Sequence, residues 1–185
     1  MNFQLDSFLQ KYELFPTYGE NKNLNEFTQN ELDAFTQSFI DLESERFSIV
    51  YSALNGELPF ETRKQRIVTL AELVDRSRNT DSKDPSAETL SLCYDFACAV
   101  RSSLHGIDPE IEWRYQLRSP RALSYAKPVL ARKKFSGSGF IDARVTAYGT
   151  ANNAIKHHQN IKEKVLDTLK RQIQSQFGID VDFDE

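Results

Sequence analysis

The run from Thr28 to Gly56 is the feature that most limits what this chain can fold into. Thr28 and Glu31 have the three-residue spacing of a capping box, in which each side chain bonds the other residue's free backbone N–H. Apolar side chains follow at helical spacing, and Gly56 supplies a left-handed stop. The run therefore predicts an amphipathic helix of about 28 residues, roughly 40 Å long, which spans the core.

Four more segments carry the apolar periodicity of helices. Pro16 ends the first of them, Pro59 suits the first turn of the next, and Asp84 and Pro85 read as an N-cap and first helical position. Gly106 and Gly178 are placed to end the last two. The predicted helices, with the long one, cover 5–12, 28–55, 59–75, 85–105 and 150–177.

The pattern changes to a period of two after Gly106. Apolar and polar residues alternate over 111–118 and again over 141–148, which is typical of strands. The tail alternates in the same way over 179–184 and is placed to add a third strand. We therefore expect a mainly α fold with about five helices, two of them long, and a small antiparallel β ribbon or extended arm. If the ribbon forms, the fold is of the α+β class.

Length and composition limit the class of protein. A chain of 185 residues predicts one domain, 1–185, with the ribbon at 107–149 inserted between helical segments. The apolar fraction of 39% and the charged fraction of 27% exclude a wholly disordered chain. No stretch approaches the roughly 20 apolar residues of a membrane span, and the first residues have no secretory pattern. We expect a cytoplasmic protein with no membrane association.

The net charge of −4 averages two regions of opposite sign. Residues 1–58 carry 3 basic and 10 acidic side chains, whereas residues 113–144 carry 8 basic side chains and one acidic side chain, Asp142. Such an asymmetry indicates what a protein binds more than how it folds.

The basic segment 113–144 is the first candidate binding site. Cations there neutralise phosphates or carboxylates, and aromatic rings among them can stack on bases. We expect a non-enzymatic accessory or adaptor protein, a subunit of a larger assembly, that binds nucleic acid or an acidic protein surface. Arg and Trp dominate interface energetics. The candidate residues are Trp113, Arg114, Arg118, Arg121, Lys133, Lys134 and Arg144.

The acidic N-terminal half supports an alternative of opposite polarity. Its helices are placed to cap a basic effector such as a nuclease, as immunity and inhibitor proteins do. The candidate residues are Glu31, Asp33, Asp41, Glu43 and Glu45.

The end of the fourth predicted helix suggests a third function. Arg101 and His105 share a helical face. Their arrangement resembles that of HEPN-type ribonucleases, which are helical and carry an arginine followed by a histidine after four to six residues. Only three residues intervene here, and the resemblance covers this helix end alone. The resemblance implies that Arg101 and His105 cleave RNA. The alternative is that the two cations have a structural role and complement the dipole at the end of the helix.

The sequence contains none of the common motifs of other catalytic or nucleotide-binding sites. The sequence lacks a Gly-x-Ser-x-Gly elbow, a Walker loop and a GxGxxG sequence. Cys93 and Cys98 lie about 140° apart around a helix, so they neither bridge nor chelate together, and His157 and His158 diverge on theirs. We therefore expect no metal, no cofactor and no catalytic residues outside the HEPN alternative.

Overall fold

A computed structural model describes residues 3–16, 28–78, 85–115, 128–132, 139–157 and 160–183. Over these residues it contains six helices and one two-stranded antiparallel sheet, so the expected mainly α fold with a small β ribbon is confirmed. The helices and strands, in chain order, are α1 (Leu5–Leu9), α2 (Gln29–Leu54), α3 (Arg63–Ser77), α4 (Ala87–His105), β1 (Ile111–Tyr115), β2 (Pro128–Arg132), α5 (Ala143–Lys156) and α6 (Ile161–Phe177).

The long helix α2 forms as its capping box predicts. The Thr28 hydroxyl accepts from the Glu31 backbone N–H, and the Glu31 carboxylate accepts from the Thr28 backbone N–H at 2.7 Å. The helix has 26 residues and ends with Asn55 in the left-handed region at a φ of 50°, one residue before the predicted stop at Gly56. At 1.5 Å per residue it is roughly 39 Å long.

Helix α4 is the centre of the core. Every residue from 91 to 100 is buried, and α4 packs against α2, α3, α5 and β1. Helices α3, α5 and α6 also contact one another, so α3 to α6 form a four-helix bundle. Helix α2 and the segment that contains α1 cover another side of this bundle. The bundle buries a core of apolar side chains because the four helices carry apolar stripes.

Two helices start later than the sequence pattern predicts. Thr62 caps α3 and forms a second capping box with Gln65, so Pro59 precedes the helix and the prediction that it lies in the first turn is wrong. Ser86 caps α4 with its hydroxyl, so Pro85 precedes the helix and the prediction of Pro85 as its first residue is wrong. Asp84 lies outside the described residues. In both cases a hydroxyl that satisfies the N3 backbone N–H sets the start of the helix.

The β ribbon is made of different residues from those predicted. Strand β1 agrees with the expected strand from 111, but its partner is β2, in a register that pairs Trp113 with Leu130. Residues 143–148, predicted as a strand, begin helix α5, and only Ile141 bridges to Leu130. Asp142 favours the helix because its carboxylate accepts from the Val145 backbone N–H at 3.3 Å.

The C-terminal region departs from the prediction in two further ways. The single helix expected over 150–177 is two helices, because Asn160 caps a new helix by accepting from the Lys162 backbone N–H at 3.0 Å. Residues 179–183 form no strand, and Val181 and Phe183 pack into the core instead. Over the described residues, none of the helices combines the length and the apolar character needed to cross a membrane.

Candidate binding surfaces

Trp113 lies in the core and not on the surface. Its side chain is 1% exposed, and its ring centroid is 5.4 Å from that of Phe39 on α2. The period-two pattern of β1 turns Trp113 inward, towards α2 and α4. The indole therefore presents no face for stacking on a ligand in this conformation. An inward position for Trp113 is also consistent with the alternating pattern of the strand.

Arg144 is a buried structural cation. It lies in the first turn of α5 and is 7% exposed. Its Nη2 atom donates to Asp142 at 2.9 Å and its Nη1 atom donates to the Tyr94 hydroxyl at 3.2 Å, with the guanidinium 5.0 Å from the centre of the Tyr94 ring. The strand predicted over 141–148 is therefore wrong at Arg144, which belongs to helix α5 and not to the ribbon that carries Arg114.

The other described cations of the basic segment are exposed on the ribbon and paired. The Arg114 side chain is 44% exposed and lies 2.6 Å from a carboxylate oxygen of Glu112. The Arg132 side chain is 39% exposed and lies 2.9 Å from Asp108. A carboxylate beside each cation lowers the positive potential of this face. The remaining cations of the segment lie outside the described residues: Arg118, Arg121, Lys127, Lys133 and Lys134.

The acidic residues of α2 divide into two groups. Glu31 is used in the capping box, and Glu43 is buried, with its carboxylate 3.3 Å from the Arg101 guanidinium. Burial raises the pKa of Glu43 above its ordinary value in spite of the Arg101 charge. Asp33, Asp41 and Glu45 are exposed to solvent. They lie on the side of α2 that faces away from the bundle.

The single cation of α2 is turned away from that exposed side. Arg46 is 1% exposed and donates two hydrogen bonds to Asp95 of α4, at 2.8 and 2.9 Å. The exposed side of α2 therefore carries carboxylates and no cation. We name Asp33, Asp41 and Glu45 the acidic face of α2.

Tyr12 and Ser91 complete a buried polar network around Asp95. The Tyr12 hydroxyl donates to the Asp95 carboxylate and lies 2.6 Å from the Ser91 hydroxyl. Burial raises the pKa of Tyr12 far above its ordinary value, and burial also raises that of Asp95. Sequence reasoning misses this network, although a carboxylate within the apolar run 92–100 and a lone cation on α2 are signals that such a pair exists.

Arg101 and His105 lie in the last two turns of α4, as expected from their spacing. The Arg101 side chain is 12% exposed and its guanidinium contacts Glu43. His105 is half-buried, and its Nδ1 atom has no hydrogen-bond partner among the described residues. The Arg101 side chain is thus engaged with α2, which leaves little of the guanidinium accessible to a phosphodiester.

The two thiols are not placed for nucleophilic chemistry. Cys93 and Cys98 are both buried in α4 as free cysteines. Burial raises the pKa of Cys93 to about 12 and raises that of Cys98 well above its ordinary value. A thiol in this state is protonated at neutral pH and is a poor nucleophile. Over the described residues, no cluster of His, Cys, Asp and Glu has the composition to hold a metal ion.

One open groove of about 460 Å³ runs along the outer side of α5 and α6. Small and polar side chains line most of it, among them Thr146, Gly149 and Thr168. The Thr146 hydroxyl donates to Gln172 at 2.9 Å across the floor of the groove. No described pair of side chains there has the geometry of a general acid and base.

Comparison with known proteins does not identify the chain. No protein-family model matches it, and neither a curated protein nor a solved structure is significantly similar to it.

Proposed function

We propose that this chain is a non-enzymatic binding protein that uses the acidic face of α2 to bind a basic protein. The observation that carries the proposal is the inward placement of Arg46, which leaves the exposed side of a 26-residue helix with carboxylates and no cation. Charge complementarity of this kind accelerates association and selects the partner. A rigid helix also presents the carboxylates at little cost in conformational entropy.

The described residues favour this surface over the basic segment. On the ribbon, Arg114 and Arg132 each lie beside a carboxylate, and Arg144 is buried. On α2 the two exposed carboxylates nearest the middle of the helix, Asp41 and Glu45, are one turn apart. This is the polarity expected of an immunity or inhibitor protein that caps a basic effector.

Charge reversal tests the proposal. We would compare the wild type with Asp41→Lys/Glu45→Lys on α2 and with Glu163→Lys/Asp167→Lys on α6, a matched control with the same change in net charge at exposed positions. Glu43 is left intact because its reversal would bury a cation beside Arg101. The readout is the affinity for a synthetic Lys/Arg-rich peptide, and for any partner that co-purifies from the source cells.

The proposal predicts that reversal on α2 weakens binding at least about tenfold, equivalent to 1.4 kcal/mol, and that reversal on α6 has a much smaller effect. Affinity should also fall as salt rises from about 50 to about 200 mM, because exposed charges are screened. Equal losses in the two variants would contradict a specific acidic face.

The basic segment 113–144 is the second candidate, for an acidic partner. Its support is the exposure of Arg114 and Arg132, whose guanidinium groups remain accessible on the ribbon. A gel shift with single-stranded and double-stranded nucleic acid tests it, with Arg114→Gln/Arg132→Gln as the variant. Absence of a shift at about 50 mM salt would exclude nucleic acid as the partner, because phosphate contacts strengthen as salt falls. An acidic protein surface would then be the remaining candidate partner.

An RNA-cleavage assay separates both candidates from the ribonuclease alternative. A binding protein should leave RNA intact. Cleavage by the purified chain that His105→Ala abolishes would favour a HEPN-like enzyme instead.

A further inference from the structure

Residues 3–16, the N-terminal strap, lie along a groove in which α1 packs against α2 and α3 and the residues after α1 pack between α2 and α4. Three aromatic side chains of the strap are buried. Phe8, Tyr12 and Phe15 are 2%, 7% and 3% exposed. The Phe15 ring centroid lies 5.2 Å from that of Phe39 on α2 and 5.2 Å from that of Tyr94 on α4. Three buried aromatic side chains within eight residues hold the strap in place, as anchor side chains hold a peptide in a groove.

Polar contacts fix the strap in one register. The Phe15 backbone N–H donates to the Ser91 hydroxyl at 2.5 Å, and Arg46 Nη2 donates to the Glu13 carbonyl oxygen at 2.8 Å. The Tyr12 hydroxyl donates to Asp95. Two hydrogen bonds of the strap's main chain and two of the Tyr12 hydroxyl, to Asp95 and Ser91, thus fix the position of the strap.

The surface beneath the strap is charged as well as aromatic. The Arg46 guanidinium and the Asp95 carboxylate lie under it, and the guanidinium is 5.3 Å from the centre of the Tyr12 ring and 5.1 Å from that of Phe15. When the strap leaves, both ions return to water, and their hydration offsets part of the apolar contact that is lost. Release of the strap is therefore less costly than release of a segment that covers an apolar surface alone.

The strap has little regular structure of its own. Its single helix, α1, has five residues, too few to be stable in isolation. Its order therefore comes from its contacts with the groove and not from the segment itself.

We propose that the groove between α2 and α4 is a peptide-binding site that also takes the strap of a second copy of this chain, so that two copies exchange straps. The partner's strap satisfies the same three anchor positions and the same hydrogen bonds to Ser91, Arg46 and Asp95. Reciprocal exchange gives a closed two-fold dimer, the usual result of swapping an identical element. This inference concerns a different surface from the acidic face of α2 and does not depend on the proposed function.

Isotope-filtered NMR on the unmodified full chain tests the exchange. Labelled and unlabelled chains are unfolded together in urea, refolded at high concentration and separated by size. Exchange predicts a dimer in which protons of Tyr94 or Ser91 in the labelled chain show contacts to Tyr12 or Phe15 protons of the unlabelled chain. A chain that stays monomeric at the highest attainable concentration, or a dimer without these contacts, would overturn the proposal.

A peptide experiment gives a second readout that needs no dimer. A fluorescent peptide with the sequence of residues 3–16 is titrated with the full chain, and its anisotropy is followed. We expect saturable binding that Leu14→Ala in the peptide leaves within about twofold, because Leu14 is 44% exposed. Tyr12→Ala or Phe15→Ala in the peptide should weaken binding at least about tenfold. Equal affinity of all four peptides would overturn the groove as a specific site.

Discussion

The Arg46 guanidinium and the Asp95 carboxylate form an ion pair at 2.8 Å in which the two side chains are 1% and 0% exposed. The pair joins α2 to α4 across 49 positions of sequence. Because both ions are desolvated, each depends on the other and on the Tyr12 hydroxyl and Glu13 carbonyl oxygen around them.

Removing one partner of this pair should destabilise the fold strongly. Arg46→Met leaves Asp95 as a buried charge without its cation, so we expect a loss of about 3–5 kcal/mol in the free energy of unfolding. The double variant Arg46→Met/Asp95→Leu removes both charges and should recover at least half of that loss. Urea unfolding of the single and double variants measures this, and additive losses would contradict a coupled pair.

Trp113 is expected to contribute to the stability of the fold and not to contact a ligand directly. Trp113→Ala removes a side chain from the junction of β1, α2 and α4 and should cost about 3–5 kcal/mol. As the single tryptophan of the chain, it should fluoresce at shorter wavelength in the native state than in urea, because the folded core excludes water from the indole. Native emission at the wavelength of the unfolded state would contradict its burial. Loss of binding in Trp113→Ala should appear only where the variant is also unfolded.

Two glutamates should give stability profiles of opposite slope with pH. Burial opposes ionisation of Glu72, but hydrogen bonds and ion pairs from Lys162 and Arg76 hold its pKa below the ordinary value. The stability that Glu72 contributes is therefore present above the unfolded pKa, about 4.3, and is lost as pH falls through the folded pKa. For Glu43, whose pKa is raised, the contribution grows as pH falls through the window above about 4.3.

Urea unfolding of the wild type, Glu72→Gln and Glu43→Gln between about pH 3 and pH 7 checks both signs. The stability difference between the wild type and Glu72→Gln, about 1 kcal/mol at neutral pH, should shrink on acidification. The stability of the wild type relative to Glu43→Gln should increase over the same range. Parallel profiles for the two variants would show that the environments of Glu72 and Glu43 are not as described.

Two glycines should respond in opposite ways to alanine. A Cβ atom at Gly139 would lie 2.6 Å from the Gln176 carbonyl oxygen, so Gly139→Ala forces the backbone of α6 to move and should cost about 1–3 kcal/mol. At Gly149, within α5, no described atom other than the nearby backbone of α5 and the two neighbouring residues lies within 4 Å of that position. Gly149→Ala should therefore stabilise the chain by about 0.5–1 kcal/mol, and thermal unfolding of the two variants compares them.

Helix starts were predictable where a cap and a period agree, as in α2. The misassigned strand over 143–148 shows the limit of this reasoning. Ala143 and Ala147 fit a period of two, but with Ala151 and Ala154 they also line the buried side of a helix. Alanine favours the helix, and Asp142 caps its first turn. The eight-residue alternation over 141–148 does not decide between the two periods, because its alanines fit both.

Strand β2 and the buried polar network could not be predicted from the sequence without knowledge of the fold. Residues 128–131 are all buried and do not alternate, and Pro128 suggests a loop until its place at the first position of a strand is known. A count of charges likewise includes the positive charge of Arg144 but does not show that Asp142 and Tyr94 bind it. Pairing depends on which helices meet, and the local pattern does not contain that information.

The ladder between β1 and β2 ends on the pair Tyr115 and Pro128, so the two ends of the intervening residues 116–127 are fixed opposite each other. The loss of chain entropy on bringing Tyr115 and Pro128 together is therefore part of folding the ribbon, and such a loss grows only slowly with the number of residues between two anchors. A change in the number of residues between these two anchors should therefore cost the ladder of β1 and β2 little free energy.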